Sequence, residues 1–290
     1  MTMNAGNRFG LVVGVDGSSG ADAAIAWAVR NAAMHGDDVT LLMALCRDDL
    51  SIRNPDIVRR LRVLRRRQAA MVLVRARSVA LNAVGHCREP IINDEMVFAG
   101  PADALTGASV DARMIVIGRA GRRHRSLAGG LGSVSGAVTY RGECPVAVIP
   151  DCLPAPLSHA PILLGIDGTE ASEVAIAVAF DEASRRRAPL TVVHALTRSS
   201  IGRGELSVEG REVLSERLAG WRERYPDVLV TSTVVTDRIK RWLIEHSAGA
   251  QLVVVGSRDM GAVSRFAHRS VSARIVEALK VPVIVARGRR

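Results

Sequence analysis

At 290 residues and 31.0 kDa the chain is long for one compact core, and at roughly 100–200 residues per domain it is expected to hold two. Hydrophobic residues at 48% and charged residues at 23% exclude a disordered or fibrous chain, while aromatics at 3% leave Ala, Val, Leu and Ile to build the core and disfavour recognition of nucleic acid by base stacking. The formal net charge of +10 comes almost entirely from arginine, because Lys240 and Lys280 are the only lysines; this fits either an anionic partner or the codon bias of a GC-rich genome.

The opening MTMNAGNRFG lacks a basic segment followed by an apolar stretch, and no apolar run approaches the ~18 residues of a membrane span. A cytoplasmic protein without membrane contact is expected. Strand one is read at Leu11–Val15, followed by a helix that either Ser18 or Ser19 could cap. Strand two is Val39–Leu45, and a long basic helix covers about residues 55–84. An extended stretch lies near Asp94–Phe98, and GPADAL opens the next helix with Pro101 near its start. Strand four is Met114–Ile117. A Gly/Arg loop leads to a helix beginning near Ser133 and to a last strand, Val146–Ile149.

From Gly14 to Leu45 the sequence aligns without gaps to the stretch from Gly165 to Leu196, at a fixed offset of 151. GVDGS matches GIDGT, AAIAWA matches VAIAVA, and VTLLMAL matches LTVVHAL. Further on MIVIG matches LVVVG, GSVSG matches RSVSA, and CPVAVIP matches VPVIVAR, whose last strand is Val283–Ala286. The chain is a tandem duplication, with domains expected at 1–150 and 162–290 and a Pro-rich linker at 151–161. Short β-branched runs alternating with helical periods predict an α/β fold of two tandem, doubly wound, parallel five-stranded sheets.

Cys46, Cys87, Cys144 and Cys152 form no CxxC pair and have no His at metal spacing, so neither zinc nor a disulfide framework is expected. Open parallel sheets bind ligands beyond the carboxyl ends of their strands, where the strand order reverses. Strand one ends in Gly14-Val15-Asp16-Gly17-Ser18 and strand four in Gly118-Arg119-Ala120-Gly121, with Gly132-Ser133 at the following helix start. Glycines let backbone amides approach a phosphate, and a helix N-terminus adds positive partial charge. No Walker-type GxxxxGK[ST] and no GxGxxG after strand one are present, which disfavours an ordinary kinase, GTPase or dinucleotide dehydrogenase.

This loop resembles the nucleotide-binding signature of the universal stress protein family, G-x2-G-x9-G-[ST], and the resemblance covers essentially the whole chain, twice. Supporting marks are Asp16 and Asp167 closing the first strand of each copy, GPADAL, and Cys144-Pro145 and Val281-Pro282 before the last strands. The first copy keeps Gly118, Gly121, Gly132 and Ser133, with ten residues rather than nine between the second and third glycines. The second keeps Gly256 and Ser270 but has Asp259 and Arg269 at the other two glycine positions. An Asp facing a triphosphate is costly, since unit charges ~4 Å apart repel by about 4 kcal/mol at an effective dielectric near 20. Arg258 and Arg269 can compensate, so the second site is read as damaged rather than lost.

The resemblance implies an adenine nucleotide alpha hydrolase-like, Rossmann-like fold and binding of ATP, with or without Mg. It implies Gly14 and Asp16 on the adenosine side, and backbone near Leu42 and Met43 at the adenine. Gly118, Arg119 and Gly121 would lie at the ribose and α-phosphate, and Gly132, Ser133 and Val134 would donate amides to the β- and γ-phosphates. Arg122 and Arg123 can add charge-assisted bonds. In the second copy the matching positions are Gly165, Asp167, Gly256, Arg258, Ser270 and Val271. The resemblance also implies an internal pseudo-dimer pairing through Val146–Ile149 and Val283–Ala286, further association into a homodimer, and an unidentified protein partner. Binding with at most slow hydrolysis is expected. The structural alternative is that the glycines only make a tight turn and the arginines are solvated.

Two other features stand out. Arg59, Arg60, Arg62, Arg65, Arg66 and Arg67 surround the long helix, with Ile57, Leu61 and Leu64 expected as its inner stripe; a solvated face is the favoured reading, with nucleic acid or an anionic membrane surface as the alternative. His194 stands where the first copy has Met43 and is read as a packed edge residue, while Ser133 and Ser135 could accept a phosphoryl group. A nucleotide-free interaction module and an arginine-driven nucleic-acid binder remain the competing functional readings.

Overall fold

The computed structural model describes residues 8–45, 54–84, 89–121, 131–153, 159–166, 170–196, 208–236, 239–256 and 271–288. The chain divides into two compact units, the first closing at Cys152 and the second running from Leu153 to Gly288. The first unit carries β1 (Leu11–Gly14), α1 (Ser19–His35), β2 (Val39–Ala44), α2 (Pro55–Ala83), β3 (Ile92–Val97), α3 (Pro101–Ala108), β4 (Met114–Gly118), α4 (Ser133–Arg141) and β5 (Val146–Ile149). Its strands lie in the order β3-β2-β1-β4-β5, all parallel, with Leu11 opposite both Val39 and Met114.

The strands of this sheet's centre are apolar without alternation because both faces are covered. Leu11, Val12, Val13, Met114–Ile117 and Val146–Ile149 are all buried. Ser18 is the cap of α1: its Oγ accepts the Ala21 N–H at 3.2 Å, and Gly36 ends the helix in the left-handed conformation. Ala21, Ala24, Ile25, Ala28, Val29 and Ala32 form its buried face. The extended stretch expected at 94–98 begins two residues earlier, at Ile92, as the edge strand β3. Its Asn93, Asp94 and Glu95 are exposed, so their polarity hid a strand that backbone pairing with β2 holds in place.

The inner stripe expected on α2 is corrected. Ile57 and Leu64 are 48% and 54% exposed. The helix docks instead through Ala69, Leu73, Ala76 and Ala80, small residues that let it lie close to α1 and the sheet. Arg75 reaches from it to the Gly17 carbonyl at 3.4 Å and pairs with Asp22, while Arg77 pairs with Asp94 at 3.0 Å.

In the second unit β6 (Ile162–Ile166), α5 (Glu170–Arg186), β7 (Leu190–Leu196), α6 (Val208–Arg224), β8 (Val230–Thr236), α7 (Ile239–His246), β9 (Leu252–Gly256), α8 (Val271–Ala278) and β10 (Val283–Ala286) follow the same path. The parallel strands are ordered β10-β9-β6-β7-β8. The duplication extends to packing. A Cβ on Gly14 would meet Leu105 of α3 and Ile117 of β4 at 3.0 and 3.2 Å, and one on Gly165 would meet Leu243 and Ile239 of α7 at 3.1 and 3.2 Å and Val255 of β9 at 3.4 Å. His194 is 4% exposed on β7, which has β6 on one side and β8 on the other. It is therefore a buried interior residue rather than an edge one. Fully buried Phe180 stacks on Trp221 at 5.9 Å and meets Tyr225 at 5.7 Å, concentrating three of the chain's few aromatics between α5 and α6.

Candidate functional site

The first sheet's strand order reverses between β1 and β4, because β2 and β3 extend on one side of β1 and the chain returns to place β4 on the other. That reversal brings the turn after β1 beside the turn after β4. Asp16 accepts the Ser18 N–H on Oδ1 at 3.0 Å, and its Oδ2 lies 2.7 Å from where a Gly121 Cβ would stand. Gly17 sits between them at φ 77, a conformation that glycine adopts without strain.

The near wall of the loop is held by backbone. Arg119 donates its N–H to the Ile149 carbonyl at 2.8 Å and accepts the Gly132 N–H on its own carbonyl at 2.9 Å, which draws the two ends of the loop together. Gly132 then caps α4 with φ −62 and ψ 155 and no side-chain cap bond. The amides of Ser133, Val134 and Ser135 consequently have no hydrogen-bond partner among the described residues, and the helix dipole adds positive partial charge at the same end. Gly121 and Ser133 are exposed beside this end. A phosphate suits that donor set, and the missing Cβ at Gly121 lets the Asp16 carboxylate lie against its backbone. The Asp16 carboxylate would repel a phosphate and suits a hydroxyl donor instead.

Other expected residues have different surroundings. Gly14 faces Leu105 and Ile117, as above. Gly118 is pressed against α1, since a Cβ there would lie 2.6 Å from the Gly20 carbonyl carbon and 2.7 Å from its oxygen. The Leu42 carbonyl accepts the Val15 N–H at 3.0 Å within the sheet, and Met43 is half-buried one residue on. Ser135 is 4% exposed and donates its hydroxyl to the Gly118 carbonyl at 2.8 Å; it ties α4 to the end of β4 and is removed from the candidate phosphoryl acceptors. Arg122, Arg123, Asp167, Arg258, Asp259, Arg269 and Ser270 lie outside the described residues, while Gly256 closes β9 as Gly118 closes β4, and Gly165 stands one residue before the end of β6 where Gly14 closes β1.

Sequence reasoning missed Gly20 and Asp151. An added Cβ at Gly20 would stand 2.8 Å from both the Ala120 carbonyl and Asp151 Oδ1, so Asp151, read as linker, belongs to the rim of this site at the N-terminus of α1. The aligned position in the second copy, Ala171, gives no signal for that contact. Among the described residues no group of three or more His, Cys, Asp and Glu is placed to hold a metal ion, and no helix is long and apolar enough to cross a membrane.

The sequence pattern of the Universal stress protein family matches this chain twice, over residues 10–150 and 159–287. The chain belongs to the universal stress protein family. It is 42% identical to universal stress protein Rv2005c of Mycobacterium tuberculosis over 97% of each chain. The crystal structure of a universal stress protein from Archaeoglobus fulgidus superposes with a TM-score of 0.72 at 16% identity, covering 97% of each chain, which shows the tandem α/β fold. A further universal stress protein was solved in complex with cAMP; it is matched over 45% of this chain and 98% of its own, at 19% identity and a TM-score of 0.37. Membership assigns the duplicated parallel sheets to universal stress protein domains.

Proposed function

We propose that the chain binds an adenine nucleotide, ATP with or without Mg, at the carboxyl ends of β1 and β4 in its first repeat. The observation that carries this is the glycine-capped N-terminus of α4, where the Ser133 and Val134 amides are unpaired among the described residues. In this reading Asp16 accepts a ribose hydroxyl, and backbone at Leu42 and Met43 borders the adenine. Gly118, Arg119 and Gly121 border the ribose and α-phosphate, and Gly132, Ser133 and Val134 hold the β- and γ-phosphates. Arg122 and Arg123 add positive charge. Mg bound with ATP supplies neutralisation of the phosphate charge. The output is occupancy-dependent choice of a protein partner, with hydrolysis slow at most, and the protein acts in the stress response as a cytoplasmic homodimer. Residues 1–150 and 162–290 act as the two domains, with 151–161 as linker. The second repeat, through Gly165, Asp167, Gly256, Arg258, Ser270 and Val271, is a weaker site because Asp259 and Arg269 replace glycines.

One observation favours a nucleotide-free interaction module instead: Gly14 and Gly118 are explained by packing against Leu105, Ile117 and Gly20 without any ligand. Chromatographic analysis of nucleotide released by heating the purified protein, together with melting curves with and without Mg-ATP, separates the two. ATP or ADP in the extract and a raised melting temperature are expected; absence of both overturns the nucleotide reading.

A further inference from the structure

The outer side of α2 carries a regular seam. Ile57, Leu64, Met71, Val74 and Leu81 fall at alternating spacings of three and four residues, with Arg60, Arg67 and Ser78 completing the series from 57 to 81. Every position of this series is exposed, with Met71 and Val74 each at 72% and Leu64 at 54%. Such spacing is the a/d repeat of helices that pair by knobs-into-holes packing, and the series from 57 to 81 spans about 36 Å of helix. Ala69, Leu73, Ala76 and Ala80 anchor the opposite side of α2 to its own unit, so the seam is presented on a fixed helix rather than on a tethered one.

Charge selects the occupant. Six arginines stand between positions 59 and 67, against the single acid Asp56 on α2. Arg66 lies over the Phe98 ring at 5.0 Å, and Arg75 and Arg77 are paired with Asp22 and Asp94. Arg60 and Arg67, within the seam, make no ion pair among the described residues. A second copy of α2 would set Arg67 against Arg67 if parallel, or bring the two within about 6 Å along the axis if antiparallel. A lipid surface calls for a broad apolar face, whereas this stripe is narrow and interrupted by arginine. Nucleic acid would gain nothing from Leu64, Met71 and Val74.

We infer that the outer seam of α2 docks an acidic amphipathic helix of a partner protein, whose apolar a/d residues pack between Leu64, Met71 and Val74 and whose Glu or Asp side chains meet Arg60 and Arg67. This docking stands independently of the nucleotide site. The probe is a four-heptad peptide with Leu at a and d and Glu at e and g, titrated against the full chain by calorimetry. Binding that weakens at least about tenfold in Met71→Gln/Val74→Gln, in Arg60→Gln/Arg67→Gln, and for the peptide with Gln in place of Glu, and that falls with added salt, is expected. All four substitutions are at exposed positions, so unchanged melting curves verify the fold. Equal affinity across the variants, no peptide binding below about 1 mM, or capture of duplex DNA or anionic vesicles in place of the peptide would overturn the inference.

Discussion

Gly118 and Ser133 lie at opposite ends of the same loop, and substitutions there separate packing from ligand binding. At Gly118 an added methyl would stand 2.6 Å from backbone of α1 at Gly20, and backbone on a packed helix cannot swing aside. Gly118→Ala is expected to cost about 1–3 kcal/mol in denaturant unfolding with no nucleotide present. A Glu at that position therefore reports on folding as well as on binding, and it is a poor test of the site. Ser133→Pro is the better probe. Proline fits the first position of a helix, and Gly132 before it already has the extended ψ of 155 that a following proline favours. The variant should melt within about 1 kcal/mol of the parent without ligand and lose most of the Mg-ATP shift, because a single amide hydrogen is removed from the α4 terminus. A shift equal to the parent's would argue against amides at this terminus as the phosphate contact.

Among the elements, the helices illustrate best where periodicity is informative. On α1 the expectation of a cap at Ser18 or Ser19 agreed with the structure, where Ser18 is the cap, because local chemistry and tertiary contact favour the same residue. On α2 the leucines and isoleucine of the arginine-rich half resemble a core stripe, yet Ile57 and Leu64 are exposed while four small or medium residues further on dock the helix. Periodicity reports that a face is apolar; it does not say which side of the helix the domain occupies. The second unit concentrates its aromatic mass at Phe180, Trp221 and Tyr225. Phe180→Ala is accordingly expected to destabilise that unit by about 3–5 kcal/mol, read by the loss of near-ultraviolet dichroism at lower denaturant. An unchanged midpoint would mean that the cluster contributes little beyond filling space.

For the molecule as a whole, the nucleotide reading makes a prediction about number. With Asp259 and Arg269 standing where the first repeat has Gly121 and Gly132, one nucleotide per chain is expected in native mass spectrometry, and Ser133→Pro should remove it. Two equivalent nucleotides per chain would show that the arginines of the second loop compensate fully for its acid.

The succession of strands and helices along the chain, the duplication and the position of the loop were readable from the residues alone, since alternating β-branched runs and helical periods are set by local geometry and by the demand that both sheet faces be covered. Which neighbour each glycine makes room for was not readable. A missing Cβ looks the same in sequence at Gly14, Gly118 and Gly121, and only the neighbours across the fold differ: Leu105, the backbone of Gly20, and the carboxylate of Asp16. The same holds for Asp151, drawn to the rim by its approach to Gly20, and for Ser135, turned inward onto the Gly118 carbonyl. Those contacts join residues far apart in the chain, so their geometry is decided by how β1, α1 and β4 pack together.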